Sequence, residues 1–505
     1  MKRVMMIGLA AAAFAAVVGG CCMGPKTAQD VLTDIRERAD KRIAEIRQTP
    51  NLEVPASAER RYLSEKGDDA ADGRTPKTAW RSIARLNKEN LAPSTYVLFE
   101  RGGVYRGMVQ TKPGVTYSAY GEGPKPCVFG SPENGADPAK WVRTDNPRVW
   151  AYVIGHNDVG TLVFDDGTAH AIKIVIRTDK KTGKKFNKFT GRPFNSYRDL
   201  DGDLHFWHDY YKDGTGKVYL YSETNPGERF KSIEFNVKCC GFRVGGNAGV
   251  TIDNFTVKYV GVHGVSAGTC KDLAVGNCEF GWIGGSIQGE AIFGRDHPTR
   301  LGNAVEVYGG CDGYSVTNCY IWQVYDAGVT HQLNIPEKAG KTRFDERNVL
   351  YKGNVFEKCN YSIEYFLTAL NGNESLMENL LFEDNLAFDA GVGFCEQRPD
   401  RNTAAHIKAW YNRTRNRAKN YVIRNNAFCG SKEMLLQICS GLKNIDGSSS
   451  MPKMYDNVII GRKGDAFGCI SETSGASIVY GPETEAYVNA FGTGNRCLVI
   501  GAEEN

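Results

Sequence analysis

A parallel β-helix, an all-β solenoid of stacked coils, is the fold this sequence predicts, and three observations predict it. An apolar residue, one or two spacers, an Asn and a further apolar or aromatic residue recur through the second half, with the Asn at Asn254, Asn277, Asn318, Asn354, Asn385, Asn426 and Asn457. Their spacings of 23, 41, 36, 31, 41 and 31 residues are too irregular for a helical solenoid. They suit rungs that share a core and carry loops of variable length. Among 505 residues, 57 Gly, only 18 Pro and 11% aromatics fit many tight turns with stacked rings.

The repeat has a physical reading. Successive turns of such a coil pair through backbone hydrogen bonds about 4.8 Å apart, so equivalent side chains stack. An Asn at one bend of every rung can bond its neighbours and satisfy turn amides that would otherwise be buried alone. Ile252, Val316, Val422 and Ile423 are expected to line the interior.

In chain order, Lys2 and Arg3 precede an apolar run from Val4 to Val18 and then Gly19-Gly20-Cys21. A basic start, a short apolar stretch and small residues before a Cys form an export signal. Its end resembles a bacterial lipobox, which implies lipidation at Cys21; an ordinary cleaved signal is the alternative. Residues 1–22 are assigned to this signal. Export to the cell envelope, with the membrane touched only through the lipid anchor, is the expected localisation. Residues 23–58 hold an amphipathic helix from Thr27 to Gln48 (Val31, Ile35, Ala39, Ile43, Ile46), ended by Pro50 and Pro55 and followed by a tether. It serves either as a cap on the coil or as a spacer from the membrane.

Residues 59–136 change character: Tyr62-Leu63-Ser64, Gly67-Asp68-Asp69, Gly73-Arg74-Thr75-Pro76, Trp80-Arg81-Ser82-Ile83, then Tyr96 to Gly107. This succession resembles the N-terminal cap of secreted right-handed parallel β-helix enzymes that act on polysaccharides. The resemblance implies a short strand, a turn and a helix leading into the first rungs. Over 137–238 the rung pattern lapses. Alternating strands around Gly/Asp turns indicate a small antiparallel β insertion, which also resembles an insertion of β-helix glycoside hydrolases. Asp199, Asp201 and Asp203 alternate there as calcium-loop ligands do, without the Gly and distal Glu of an EF-hand, so a solvated hairpin turn is expected.

Residues 239–505 carry the coil and the candidate site. With Val305 and Val307 inward, Glu306 points out; with Ile363 and Tyr365 inward, Glu364 points out two rungs along. Tyr325 to Val329 and Phe388 to Val392 are near copies, which suggests that Asp326 and Asp389 share a register. The stretch Ala404 to Trp410 reads as a loop folding back over this face. Glu364, Asp326 and Glu396 are the catalytic candidates. Glu306, His331, Gln332, Arg398, His406, Lys408, Trp410 and Tyr308 are the substrate-binding candidates. Carboxylate pairs supply proton transfer or nucleophilic attack at an acetal, and rings and charged forks hold sugars.

The stretch from Arg300 to Trp410 resembles bacterial β-helix proteins of glycoside hydrolase type, which implies a polysaccharide substrate. The function expected is hydrolysis of glycosidic bonds without a cofactor or bound metal. One alternative is a lyase acting on a uronic-acid polymer, with calcium held by Glu306, Asp326 and Glu364. The other is a non-catalytic glycan-binding lipoprotein. Net charge is +4, from 62 basic and 58 acidic residues, which leaves no nucleic-acid footprint. A monomer is expected. The fifteen Cys lack the paired short spacings of a zinc site. Cys278 and Cys319 each follow a repeat Asn, so they belong on neighbouring rungs as a disulfide or as stacked thiols.

Overall fold

In the computed structural model, which describes residues 26–210, 215–289, 297–335, 344–369, 375–398, 404–410, 416–439, 444, 446–471 and 479–501, the chain winds into a right-handed parallel β-helix. Cys21 and the rest of the signal lie outside the described residues. One wall is an eleven-stranded sheet running from Arg60–Leu63 to Gly492–Thr493. Its strands pair in parallel, as Cys311–Thr317 does with Phe344–Lys352 and that strand with Ser375–Glu383. Two further walls follow it in every rung. The second includes Glu279–Ile283, Leu386–Ala390 and Val458–Arg462; the third includes Val265–Ala267, Val305–Tyr308 and Ala405–Trp410. The long strands Tyr320–Ile335 and Val355–Ala369 each cross from the second wall to the third.

One continuous apolar core fills the coil from Leu63 to Cys497. It is closed at one end by Trp80 and the helix Ile83–Lys88, and at the other by Val488 on the helix Thr484–Asn489. Ile252, Val316 and Ile423 point into this core, whereas Val422 is partly exposed. Neighbouring residues of a strand face opposite sides, so Val422 and Ile423 cannot both point in.

The corner between the first and second walls explains the Asn repeat and corrects its reading as one column. Each rung places a left-handed residue there, followed by a buried ladder residue. Asn254, Asn277 and Asn318 occupy the left-handed place (φ 67°, 52° and 51°), which Asn tolerates better than most residues. In later rungs Gly353, Asp384, Asn425 and Asp456 take that place, and Asn354, Asn385, Asn426 and Asn457 move to the ladder. Each ladder amide is fully used. The Asn385 side-chain nitrogen donates to Tyr351 O and Asn426 Oδ1, both at 3.0 Å, while its Oδ1 accepts from the backbone and side-chain nitrogens of Asn354. Asn495, which the repeat reading missed, continues the column, and Asn489 ends it.

Cys278 and Cys319 hold ladder places in earlier rungs as buried free thiols, not a disulfide. The Cys278 thiol donates to Gly276 O at 3.0 Å, and burial pushes it well up. It behaves as a small hydrophobe with a weak donor.

The N-terminal helix Ala28–Arg47 starts at a Thr27–Asp30 capping box. It neither caps the coil nor stands off as a spacer; it lies lengthwise on the second wall. Ile35, Ala39, Ile43 and Ile46 pack on an outward stripe made by Tyr320, Val355, Leu386 and Ala427, which are in register on successive rungs. Twenty helical residues span about 30 Å, close to the roughly 29 Å of six strand spacings. Arg47 reaches Glu279 (2.9 Å), Arg42 reaches Asp384 (2.9 Å), and Arg36 pairs with Glu357.

The insertion is built on a five-stranded sheet that includes Val149–Val153, His205–Tyr210 and Gly216–Tyr221 in antiparallel pairing. Tyr152, Phe206, Val218 and Leu220 of this sheet bury against Val159–Phe164 and Ile233–Val237. Asp199, Asp201 and Asp203 do not converge: Asp199 caps the turn at Ser196, Asp201 pairs with Arg192, and Asp203 pairs with Arg229.

Replacing Asn385 by Ala leaves the Asn354 backbone N–H buried without its partner, at about 1–3 kcal/mol. Urea denaturation of Asn385→Ala is expected to register that loss, and unchanged stability would contradict a continuous ladder.

Candidate active site

Parallel, in-register strands on the third wall carry an outward column of Arg243, Ser266, Glu306, Thr330, Glu364, Lys408 and Gln437. Arg243 is exposed, while Glu306, Thr330, Glu364 and Lys408 are buried. Beside this column, at the corner with the second wall, stands Asp326, also buried.

Three acids therefore meet in a place shielded from water, and each has its own partners. Asp326 Oδ1 is 2.6 Å from Arg398 Nη1, which also donates to Tyr325 O at 2.9 Å. Glu364 Oε1 is 2.9 Å from Lys408 Nζ, which sits 4.0 Å from the centre of the Tyr361 ring. Among the described residues, Glu306 meets no Lys or Arg at such a distance. Its Oε2 accepts from Asn303 Nδ2 at 2.5 Å, and its Oε1 lies 3.2 Å from His263 Nε2. His263 Nδ1 accepts from the Asn303 backbone N–H at 3.1 Å.

Burial pushes the Glu306 carboxyl above the usual carboxylate range, and Asp326 and Glu364 add to the rise. His263 and the Asn303 hydrogen bond offset part of it. Burial and like charges disfavour a third negative charge beside two ion-paired carboxylates.

The insertion holds the 3-10 turn Gly393–Gln397 that leads to Arg398. Gln397 accepts from the Lys173 backbone N–H (3.0 Å) and donates to Ala171 O (2.8 Å). Arg300 donates to Gly160 O (2.9 Å) and Gly285 O (2.6 Å), which ties the insertion to the coil, and its guanidinium sits over the Tyr325 ring. Lys173 and Asp158 pair at 2.5 Å within the insertion, and Asp158 Oδ2 accepts from the Ile287 backbone N–H at 2.6 Å as a second tie.

Among the residues predicted for the site, Glu306, Asp326, Glu364, Arg398 and Lys408 come together. Gln332 lies one column over, buried beside the exposed Tyr308. Trp410 ends the strand Ala405–Trp410, and its ring lies outside the described side chains. That strand is a rung of the third wall and not a covering loop, which is how Lys408 comes to face Glu364.

Three predicted residues lie elsewhere. Glu396 is exposed on the 3-10 turn, 3.7 Å from Lys432, while Arg398 after the turn is buried against Asp326. His331 points into the coil, where its ring nitrogens meet the hydroxyls of Tyr351 (2.9 Å) and Tyr421 (3.0 Å); it shares the inward column of Val307 and Tyr365. His406 is also interior, bonded to Ser362 Oγ (3.0 Å) and Gly430 O (2.8 Å).

The near copies at Tyr325 and Phe388 are out of register. Phe388 aligns with Glu357 and through it with Trp322, so Asp389 falls on the second wall near Arg36 of the N-terminal helix. Sequence reading also missed His263, Asn303 and Thr330. Aligning Val265-Ser266-Ala267 with Val305-Glu306-Val307 would have placed His263 beside Asn303. Among the described residues, no group of three or more His, Cys, Asp or Glu is arranged to hold a metal ion, and that includes the three acids the elimination reading assigned to calcium.

No family model and no curated protein sequence matches the chain. Similar solved structures include XylC in complex with xylose (12% identical, 88% of this chain and 76% of that chain, TM-score 0.47). A GH136 lacto-N-biosidase from Eubacterium ramulus is 12% identical over 87% of this chain and 68% of that chain, with a TM-score of 0.35. An exopolygalacturonase from Thermotoga maritima is 12% identical over 93% and 97%, with a TM-score of 0.30.

Removing one partner of the buried Arg398–Asp326 pair strands a charge, so Arg398→Met is expected to cost about 3–5 kcal/mol of stability; calorimetry that finds no loss would contradict the pairing. Burial lowers His331 to about 3 and His406 to about 4 from 6.5. The folded chain thus binds fewer protons than the unfolded one as pH falls from 6.5, and the stability these rings contribute above that pH is lost progressively on acidification. Their ring resonances are expected not to titrate between pH 8 and pH 5; a midpoint near 6.5 for either would place it outside the core.

Proposed function

We propose that the protein is a glycoside hydrolase acting on a polysaccharide or a fragment of one. The observation that carries this reading is the row of Glu306, Asp326 and Glu364 on one wall, with the Glu306 carboxyl raised above the usual carboxylate range by burial while the other two face Arg398 and Lys408. Cleavage of an acetal needs a carboxylic acid to protonate the departing oxygen and a carboxylate to attack the anomeric carbon or activate a water. Glu306 has the environment of the acid, and Glu364 takes the role of the carboxylate. Asp326 keeps negative charge near Glu306, which favours retention of its proton, and it fixes Arg398. Tyr308, exposed at the edge of the column, offers a ring for a sugar face.

Action outside the cytoplasm, with a lipid anchor at Cys21, belongs to the same proposal. It is supported by the basic and apolar N-terminus and by Cys469, which is disulfide-bonded, a state that persists in oxidising compartments.

The pH dependence follows from the acid. Activity should fall on the alkaline side as Glu306 loses its proton, and Asp326→Asn, by removing a neighbouring negative charge, should move that limb to lower pH. Glu306→Gln should reduce kcat by about 10²–10⁴-fold, the usual contribution of a general acid. The test is a panel of plant and bacterial polysaccharides assayed for new reducing ends with wild type, Glu306→Gln and Glu364→Gln. Reducing ends that vanish in both variants are the expected result. Unsaturated, ultraviolet-absorbing products would make the protein a lyase, and retention of a glycan without cleavage would make it a binder.

A further inference from the structure

Within the insertion, the strands Ile176–Thr178 and Lys185–Asn187 form a two-stranded hairpin of their own. Residues 176–192 include seven basic residues and one acidic, a net +6 in a chain of +4, so the rest of the protein carries a net −2. Lys180, Lys181, Lys184 and Lys185 are exposed around the turn, and none of them forms an ion pair among the described residues. Asp179, the one acid in the stretch, is committed to the turn itself. Its Oδ1 accepts from the backbone N–H groups of Lys181 (2.9 Å) and Thr182 (2.8 Å). Four like charges on one turn repel one another, so the lysines do not hold the hairpin together. Beside them, Thr182, Lys184, Lys185, Phe186, Pro193 and Asn195 line an open concavity of about 580 Å³. The Phe186 ring is half-buried there, with the Arg177 guanidinium 5.3 Å from its centre.

We infer that this hairpin docks an acidic polysaccharide, with one anionic sugar in the concavity and further negative charges of the polymer against Lys180 and Lys181. A ring, an amide and a hydroxyl beside two ammonium groups match such a sugar: its C–H face lies on Phe186, its hydroxyls bond Asn195 and Thr182, and its anion meets Lys184 and Lys185. A recess with a half-buried ring suits a polymer strand that can enter it. Membrane-surface segments instead present a protruding apolar face to the acyl boundary. Unpaired lysines also draw a polyanion in from solution. Carboxylated and sulfated glycans present the same chemistry here, negative charge on a sugar ring. The inference goes beyond the hydrolase reading and does not depend on it, since the hairpin shares no residue with the wall of Glu306 and Glu364 and binds without cleaving.

Affinity electrophoresis and titration calorimetry of the full chain test this, with polygalacturonate, dextran sulfate and neutral dextran as glycan probes and phosphatidylglycerol vesicles as the membrane probe. Wild type is expected to bind at least one of the two acidic glycans and not dextran, and to release it as salt rises; which of the two it binds tells carboxylate from sulfate. The combined variant Lys180→Gln, Lys181→Gln, Lys184→Gln and Lys185→Gln should lose about tenfold or more in affinity. Its melting temperature should match that of wild type, because the four side chains are exposed and unpaired. Lys180→Arg, Lys181→Arg, Lys184→Arg and Lys185→Arg together should keep the affinity. Phe186→Leu, which preserves bulk and charge, should weaken binding about two- to tenfold through loss of the ring face. The inference is overturned if neither acidic glycan is bound, if the four-Gln variant binds as wild type does, if Phe186→Leu leaves affinity unchanged, or if only the vesicles are bound. Cleavage of a probe, or its absence, bears on the hydrolase reading alone.

Discussion

Parallel strands held in register about 4.8 Å apart are the constraint on which the rest of the molecule depends. They bring residues separated by tens of positions in the chain into straight columns. The buried amide ladder from Asn354 to Asn495 keeps those columns aligned at the tightest corner, because each side chain bonds the rung on either side and leaves no capacity unused. A slip of one residue in any rung would break the ladder and turn that rung's core residues outward. The interior and the exterior face are therefore fixed by the same hydrogen bonds.

The columns also concentrate charge. Glu306, Asp326 and Glu364 in a water-shielded place would repel one another if all were ionised. The molecule meets this with Arg398 against Asp326, Lys408 against Glu364, and a Glu306 carboxyl whose affinity for its proton is raised by burial. His263 and Asn303 orient that carboxyl from the rung before and from its own rung. The balance gives neighbouring carboxyls different surroundings within one solvent-excluded row.

Two coverings hold this arrangement. The helix Ala28–Arg47 buries an outward apolar stripe on the second wall that would otherwise meet water, and the insertion packs through Val163 on Tyr259 and Trp282 of that wall and on Tyr325 at its corner with the third. Arg300 and Gln397 bridge the insertion to the coil through backbone carbonyls and amides, and that bridge sets the place from which Arg398 reaches Asp326. The insertion is a structural neighbour of the acids as well as a layer of its own.

The sequence by itself determined the coil, the helix at its N-terminus, the antiparallel insertion and the shared face of Glu306 and Glu364. These follow from local alternation and recurrent turn residues, which leave a periodic trace in the chain. Only the tertiary structure decided which Asn residues form the ladder, that His331 and His406 face inward, that Asp389 belongs to another wall and that Glu396 turns away. Each of those depends on how many residues a rung spends at its corners, and a bulge or a left-handed residue there changes the register without altering the local pattern. The near-identical stretches at Tyr325 and Phe388 make the point: alike in sequence, they fall on different walls because the corner precedes one and follows the other.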